Sequence, residues 1–286
     1  MDGNSKTPSV NTPPKPRRAS LPLIILAALF IIVPFLTWYG TWFGRDISDE
    51  EIATYLADEK NPRHIQHALS RVEERIEHGD PAVRKFYPQI AALTKSPTAE
   101  IRKTAAWVMG QDNKSEEFHQ ALLTLLSDTE PLVRRNAALQ LVRFGDASGR
   151  PELRAMLQSY ETKSPVAGKI ESLLSQGSTI KAGGLLARIR DSSNVVQEFR
   201  SPLDGSIGTL SVKEGETVVV NQTVALLTPD HATISDALRA LEFVGTREDL
   251  SLVEAYWQGA MVDAELKKQA GATARAIGGR ALKTKE

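Results

Sequence analysis

The chain has 286 residues, and its 35 basic residues (Lys and Arg) balance 35 acidic ones (Asp and Glu), so the formal net charge is zero and no global field recruits nucleic acid. It has no cysteine, which excludes disulfides, thiolate metal sites, iron–sulfur clusters and a cysteine nucleophile. The length accommodates more than one domain.

Residues 1–20 are rich in Pro, Ser, Thr, Asn and Lys/Arg and read as a disordered cytoplasmic tail. Residues 21–43, opening on Leu21 and closing on Phe43, carry no charge and are mostly Leu, Ile, Ala, Val and Phe. Roughly 20 apolar residues cross the ~30 Å core of a bilayer, so this run predicts one transmembrane helix. Pro34 predicts a kink, and Trp38, Tyr39, Trp42 and Phe43 read as an aromatic belt at the far interface. Lys15, Arg17 and Arg18 precede the run, whereas Asp46, Asp49, Glu50 and Glu51 follow Arg45. The positive-inside rule then keeps the N-terminus in the cytoplasm and the bulk of the chain outside it. Bulky Trp-Tyr-Gly-Thr-Trp-Phe stands where a cleaved signal peptide has small residues, so the anchor is expected to stay. The expected location is the bacterial inner membrane, single-pass, with a periplasmic body.

From residue 47 to 159 apolar residues recur at three- and four-residue spacing, the period of amphipathic helices. Ser48 with Glu51 three residues on predicts a capping box. Asp80-Pro81-Ala82-Val83-Arg84, Ser96-Pro97-Thr98 and Asp128-Thr129-Glu130-Pro131 predict three more starts, with Pro in the first turn, and Gly110 and Gly145 predict stops. Ile101-Arg102-Lys103-Thr104-Ala105-Ala106 and Val133-Arg134-Arg135-Asn136-Ala137-Ala138-Leu139-Gln140-Leu141, closing on Gly145, resemble HEAT repeats. That resemblance implies stacked helix pairs with a protein-binding surface and no enzyme.

Residues 160–228 are β-branched stretches punctuated by Gly, Pro, Asn and Asp, and they repeat themselves. Ser164-Pro165-Val166-Ala167-Gly168-Lys169-Ile170 returns as Ser201-Pro202-Leu203-Asp204-Gly205-Ser206-Ile207. Gly177-Ser178-Thr179-Ile180 returns as Gly215-Glu216-Thr217-Val218. The doubled pattern resembles the biotinyl/lipoyl domain, a barrel-sandwich hybrid of two pseudo-symmetric halves. In that family carriers attach their cofactor to a lysine at the hairpin tip joining the halves. The tip falls near Ser193-Asn194-Val195, with Asn194 near the lysine position and no lysine from Asp191 to Arg200. The expected cofactor content is none. A second branch of the resemblance, the membrane-fusion adaptors of efflux and secretion systems, shares the single anchor and the β module. Those adaptors insert a long helical hairpin between the halves, which the link from Arg190 to Arg200 cannot hold.

Residues 229–280 resume helical spacing, at Ser235 to Phe243 and Leu250 to Gln258. Leu266-Lys267-Lys268-Gln269-Ala270-Gly271, with Gly278 beyond, echoes Val133 to Gly145. The simplest account is one HEAT-like stack interrupted by an inserted β domain, with residues 281–286 as a frayed tail.

No Gly-x-Ser-x-Gly, His-Glu-x-x-His or phosphate-binding loop occurs. His64 and His67 share a helical face but lack an evident third ligand, so no metal site and no catalytic residue is assigned. Trp107 and Trp257 read as core. Arg84, Arg102, Arg134 and Arg135 recur in the repeats and are candidate partner-binding residues, with inter-repeat bonding to Asp or Glu as the other reading. The expectation is a multidomain α + β protein: a membrane-anchored, non-enzymatic scaffold or adaptor with protein partners in the envelope and no nucleic acid. An adaptor subunit of a transport or secretion system and a biotin or lipoyl carrier are the alternatives.

Overall fold

The computed structural model describes residues 21–42, 47–260 and 262–283, which form parts of two units, residues 1–47 and 48–286. The expected tail at 1–20, the flanking charges Arg45 and Asp46, and Phe43 lie outside the described residues.

In the first unit, α1 (Leu21–Trp42) runs through Pro34 and contains no charged residue. Among the described residues no helix is long and apolar enough to cross a membrane. Residues 25–36 of α1 are apolar throughout and mostly exposed. Trp38, Tyr39 and Trp42 fall outside the described side chains.

The second unit opens on the predicted capping box. Ser48 Oγ accepts from the Glu51 N–H at 3.3 Å, and Glu51 Oε2 accepts from the Ser48 N–H at 3.0 Å. Helices α2 (Asp49–Leu56), α3 (Pro62–Glu77), α4 (Tyr87–Ala92), α5 (Ala99–Met109), α6 (Glu116–Leu125), α7 (Pro131–Arg143) and α8 (Arg150–Ala155) follow. After the β domain come α9 (His231–Val244), α10 (Leu250–Gln258) and α11 (Ala264–Lys283). Helices α3, α5, α7, α9 and α11 lie side by side, each backed by the helix that precedes it. The facing residues are small or branched apolar ones: Ile101, Ala105, Ala106 and Met109 on α5 match Val133, Ala137, Ala138 and Leu141 on α7, all buried. Alanine pairs allow the close approach that stacked repeats need.

Several local expectations are corrected. The segment after Asp80 is a 3-10 helix, Pro81–Phe86, before α4 begins. Pro97 stands ahead of the N-cap Thr98 rather than in the first turn of α5, whereas Pro131 is the first residue of α7. Gly145 does stop α7 in the left-handed region, at φ 72°. Gly110 does not use that freedom, with φ −66°; a Cβ there would stand 2.0 Å from Gln140 Oε1, so close packing requires glycine. At the C-terminus α11 continues through Gly278 and Gly279 to Lys283, so the tail expected from residue 281 is helical over its first half.

Eight strands build the β domain: β1 (Tyr160–Lys163), β2 (Gly168–Leu173), β3 (Thr179–Ile180), β4 (Leu185–Arg190), β5 (Val196–Arg200), β6 (Gly205–Leu210), β7 (Thr217–Val218) and β8 (Thr223–Thr228). They form two antiparallel sheets, β1-β8-β6-β3 and β5-β4-β2-β7. Advancing every strand by half the domain converts one order into the other, so the sequence duplication is a structural pseudo-twofold. The hydrogen bonds obey it. The Gly177 N–H donates to Ile207 O and the Gly215 N–H to Ile170 O, both at 2.8 Å. Both glycines are left-handed, at φ 83° and 87°. Ser164 and Ser201 are buried and donate Oγ–H to Val166 O and Leu203 O at 2.6 and 2.7 Å. Buried Ile170, Ile189, Ile207, Val218, Val224 and Leu227 fill the space between the sheets, each worth about 1.5–3 kcal/mol of burial.

Residues from both sides of the β domain share one helical core. Ala138, Leu153, Met156 and Leu157 pack with Ile234, Leu238, Leu241, Val253 and Ile277. Buried Asp249 faces Arg154 at 3.1 Å, and Tyr256 Oη donates to Leu157 O at 2.7 Å. The β domain therefore occupies the turn within a single helix pair, α8 and α9. Tyr160 faces Leu227 across the β1–β8 ladder, so the two ends of the insertion are neighbours.

Candidate functional site

The hairpin between β4 and β5 is the tip that joins the two halves. Asp191 builds it: Oδ1 accepts from the N–H groups of Ser193 and Val195 at 2.9 and 3.0 Å, and Oδ2 accepts from Gln197 at 3.2 Å. The Val195 N–H, followed by the Gln197 amide, holds the Asp191 carboxyl below its ordinary value. Asn194 is left-handed at φ 62°, a conformation its short side chain tolerates. Arg190 Nη1 donates to Asn194 O and Oδ1 at 3.0 and 3.2 Å. An amide locked under a guanidinium offers no amine for acylation. Val195, Val196, Val219 and Val220 are exposed around this end of the sheet.

The four candidate arginines part company. Arg102 donates Nε and Nη2 to the two oxygens of Asp128 at 2.6 and 2.8 Å, and Nη1 to Ser96 O at 2.9 Å. Arg134 repeats the pattern, with Nη1 to Asp128 O at 2.8 Å and Nε to Glu152 at 3.2 Å. Both staple the turn of their own helix pair and reach an acid of the next. Arg135 is buried over the Tyr160 ring, 5.8 Å from its centroid and 3.8 Å from Glu152. Burial pulls its guanidinium below the ordinary value, against Glu152 and Tyr160. Only Arg84, 3.7 Å from Asp112 with its side chain 64% exposed, faces solvent. His64 Nδ1 pairs with Asp58 at 2.8 Å and its ring stacks on Tyr55.

Two family profiles match this chain. HEAT repeats match residues 88–173, and the barrel-sandwich hybrid domain of RND membrane-fusion proteins matches residues 158–229. The chain carries a barrel-sandwich hybrid domain beside HEAT repeats. No curated protein matches as a relative. Among solved structures, a single-chain, multi-domain long-chain acyl-CoA carboxylase is 16% identical over 44% of this chain and 13% of its own, with a TM-score of 0.25. So low a score carries no argument about fold or chemistry.

On the HEAT stack the two tryptophans correct the sequence reading. Trp107 is 45% exposed and donates Nε1–H to Glu73 at 2.5 Å. Trp257 is half exposed and lies over Gly271. Phe243 is 71% exposed. A signal for it was present: the buried positions of α9 run Ile234, Leu238, Leu241 and Val244, and Phe243 falls out of that phase.

Proposed function

We propose that this chain is a membrane-anchored scaffold or adaptor that brings proteins together in a bacterial cell envelope, outside the cytoplasm, with no catalysis of its own. The observation that carries the reading is the split helix pair. The hybrid domain is rooted in both α8 and α9, so a compact β knob is held at a fixed attitude on a HEAT stack. HEAT repeats and an adaptor-type domain both support protein–protein contact. The uncharged α1, with basic residues before it and acidic ones after, supports the anchor and its orientation. Tethering at a membrane raises the effective concentration of whatever the knob and the stack bind.

A more specific version, a subunit of an RND-type transport or secretion complex, is favoured by the hybrid-domain match at residues 158–229. The short turn between Arg190 and Val196 leaves no room for a helical hairpin. The carrier alternative lacks an amine at the tip. Photocrosslinking from Val195 in native membranes, followed by mass spectrometry, tests the adaptor reading. Recovery of defined envelope proteins supports it, and recovery of none across several growth conditions sinks it. Co-purification with a pump and ring-like self-association would favour the transport version. A reporter fused after Glu286 should be active only outside the cytoplasm.

A further inference from the structure

A groove of about 510 Å³ crosses the HEAT stack between α5, α7 and α9. Trp107 and Phe243 stand on its two sides, and Leu139 and Val142 contribute to its apolar lining. Its charges are Arg143, Arg239 and a single acid, Asp236. Among the described residues neither arginine has a carboxylate within 4 Å, unlike Arg102 and Arg134 on the same helical layer, although Arg239 is near enough to Asp236, three residues before it on α9, to favour that carboxyl's charged form. Gln140 also lines the groove. It is 96% buried, and its Oε1 has no hydrogen-bond partner. That oxygen packs against Gly110 rather than opening on the groove, so Gln140 contributes its stem to the wall and no free acceptor. Exposed aromatic rings beside guanidinium groups that make no close ion pair are the ingredients of a recognition surface rather than of a solvated face.

We propose that this groove binds an acidic segment of a partner protein, with an aromatic or branched aliphatic side chain seated between Trp107 and Phe243. Carboxylates of that segment pair with Arg143 and Arg239. The inference rests on the protein–protein reading above and names the chemistry of one partner. Charge complementarity selects the sign: Arg143 and Arg239 together outweigh Asp236, and a basic segment would meet both arginines.

Selection of a random peptide library against the full chain in nanodiscs tests it. Enriched peptides should combine several Asp or Glu with an aromatic or aliphatic anchor. The R143E/R239E double variant should lose about 100-fold in affinity for them, and Phe243→Ala about 10-fold. Asp236→Asn should tighten binding. Phe243, Arg143 and Arg239 are all exposed, so these variants should melt like the parent. If Phe243→Ala alters the melt, the charge variants alone carry the test. No enrichment, enrichment of neutral or basic peptides, or equal binding to R143E/R239E overturns the proposal. If crosslinked envelope partners persist on R143E/R239E/F243A, the adaptor reading stands and the groove is not its partner site.

Discussion

Asp128→Ala should be strongly damaging to the helical stack. Asp128 accepts two hydrogen bonds from the Arg102 guanidinium, accepts one from the Glu130 N–H at 2.8 Å, and lends its carbonyl to Arg134. Arg102 and Asp128 side chains are only 12% and 6% exposed, so water screens the pair weakly. Removing one partner of a buried pair strands the other and costs about 3–5 kcal/mol. Arg102 keeps its bond to Ser96 O at 2.9 Å, which places the expected loss near the lower end, about 3 kcal/mol. At about 2–4 °C per kcal/mol for a unit of this size, the melting temperature should fall by roughly 6–12 °C. Far-UV circular dichroism in heat and in urea measures it. The decisive comparison is the double variant R102M/D128A, which removes the stranded charge and should be more stable than Asp128→Ala alone. A loss below about 1 kcal/mol for Asp128→Ala, within the range of an exposed ion pair, or strict additivity in the double variant, would refute the ladder as a structural staple.

The same carboxylate predicts an acid response. Burial pushes Asp128 up, but the Arg102 and Glu130 bonds outweigh it, so the folded value lies below the usual range. Its stabilisation is complete above the unfolded carboxylate value of about 3.9 and is lost as pH falls through the lower folded value, which an acid titration of the melt should detect. Gly168→Ala and Gly205→Ala should each unfold the hybrid domain, because the new methyl would stand 2.3 and 2.5 Å from Arg190 O and Thr228 O. Gly145→Ala meets no atom and should cost only about 1 kcal/mol of left-handed strain by urea denaturation. Asn194→Lys should lower stability by about 1 kcal/mol, and intact mass of the parent should carry no lipoyl or biotinyl increment. Replacing residues 160–228 by a short Gly-Ser linker should leave a helical protein with a cooperative melt, whereas truncation after Thr228 should not, since it exposes Ala138, Leu153 and Leu157.

The sequence made the β domain legible because its signals are local and doubled. Ser164 and Ser201, Gly168 and Gly205, and Gly177 and Gly215 each hold the same hydrogen bond or close approach in both halves. The HEAT period was legible where alanine pairs follow a proline-marked start, although neither Thr98 nor Glu130 caps its helix through its side chain, and blurred where they do not, as at Asp80, whose 3-10 turn keeps the cap but not the helix. The arginines were visible as a recurring residue type, but only geometry separates Arg102, bound at both ends, from Arg84, which faces water. Residue type alone also failed for Trp107, since an aromatic ring in a helix next to buried neighbours reads as core until the helical phase is worked out. Gly278 echoes Gly145 in sequence but does not end its helix, because the burial of Ala274 and Ile277 carries α11 past it.

The two crossings between the stack and the hybrid domain have a mechanical consequence. Only Pro229 and Asp230 separate β8 from α9, and buried Met156 and Leu157 lie between α8 and β1. Arg135 packs over Tyr160 at that root. A force on the hairpin tip is thus delivered through two adjacent strands into two helices at once, as torque on a clamped lever rather than tension on a string. Bending of the stack is converted into a sweep of the tip, and load on the tip is felt as a change in the spacing of α7, α8 and α9.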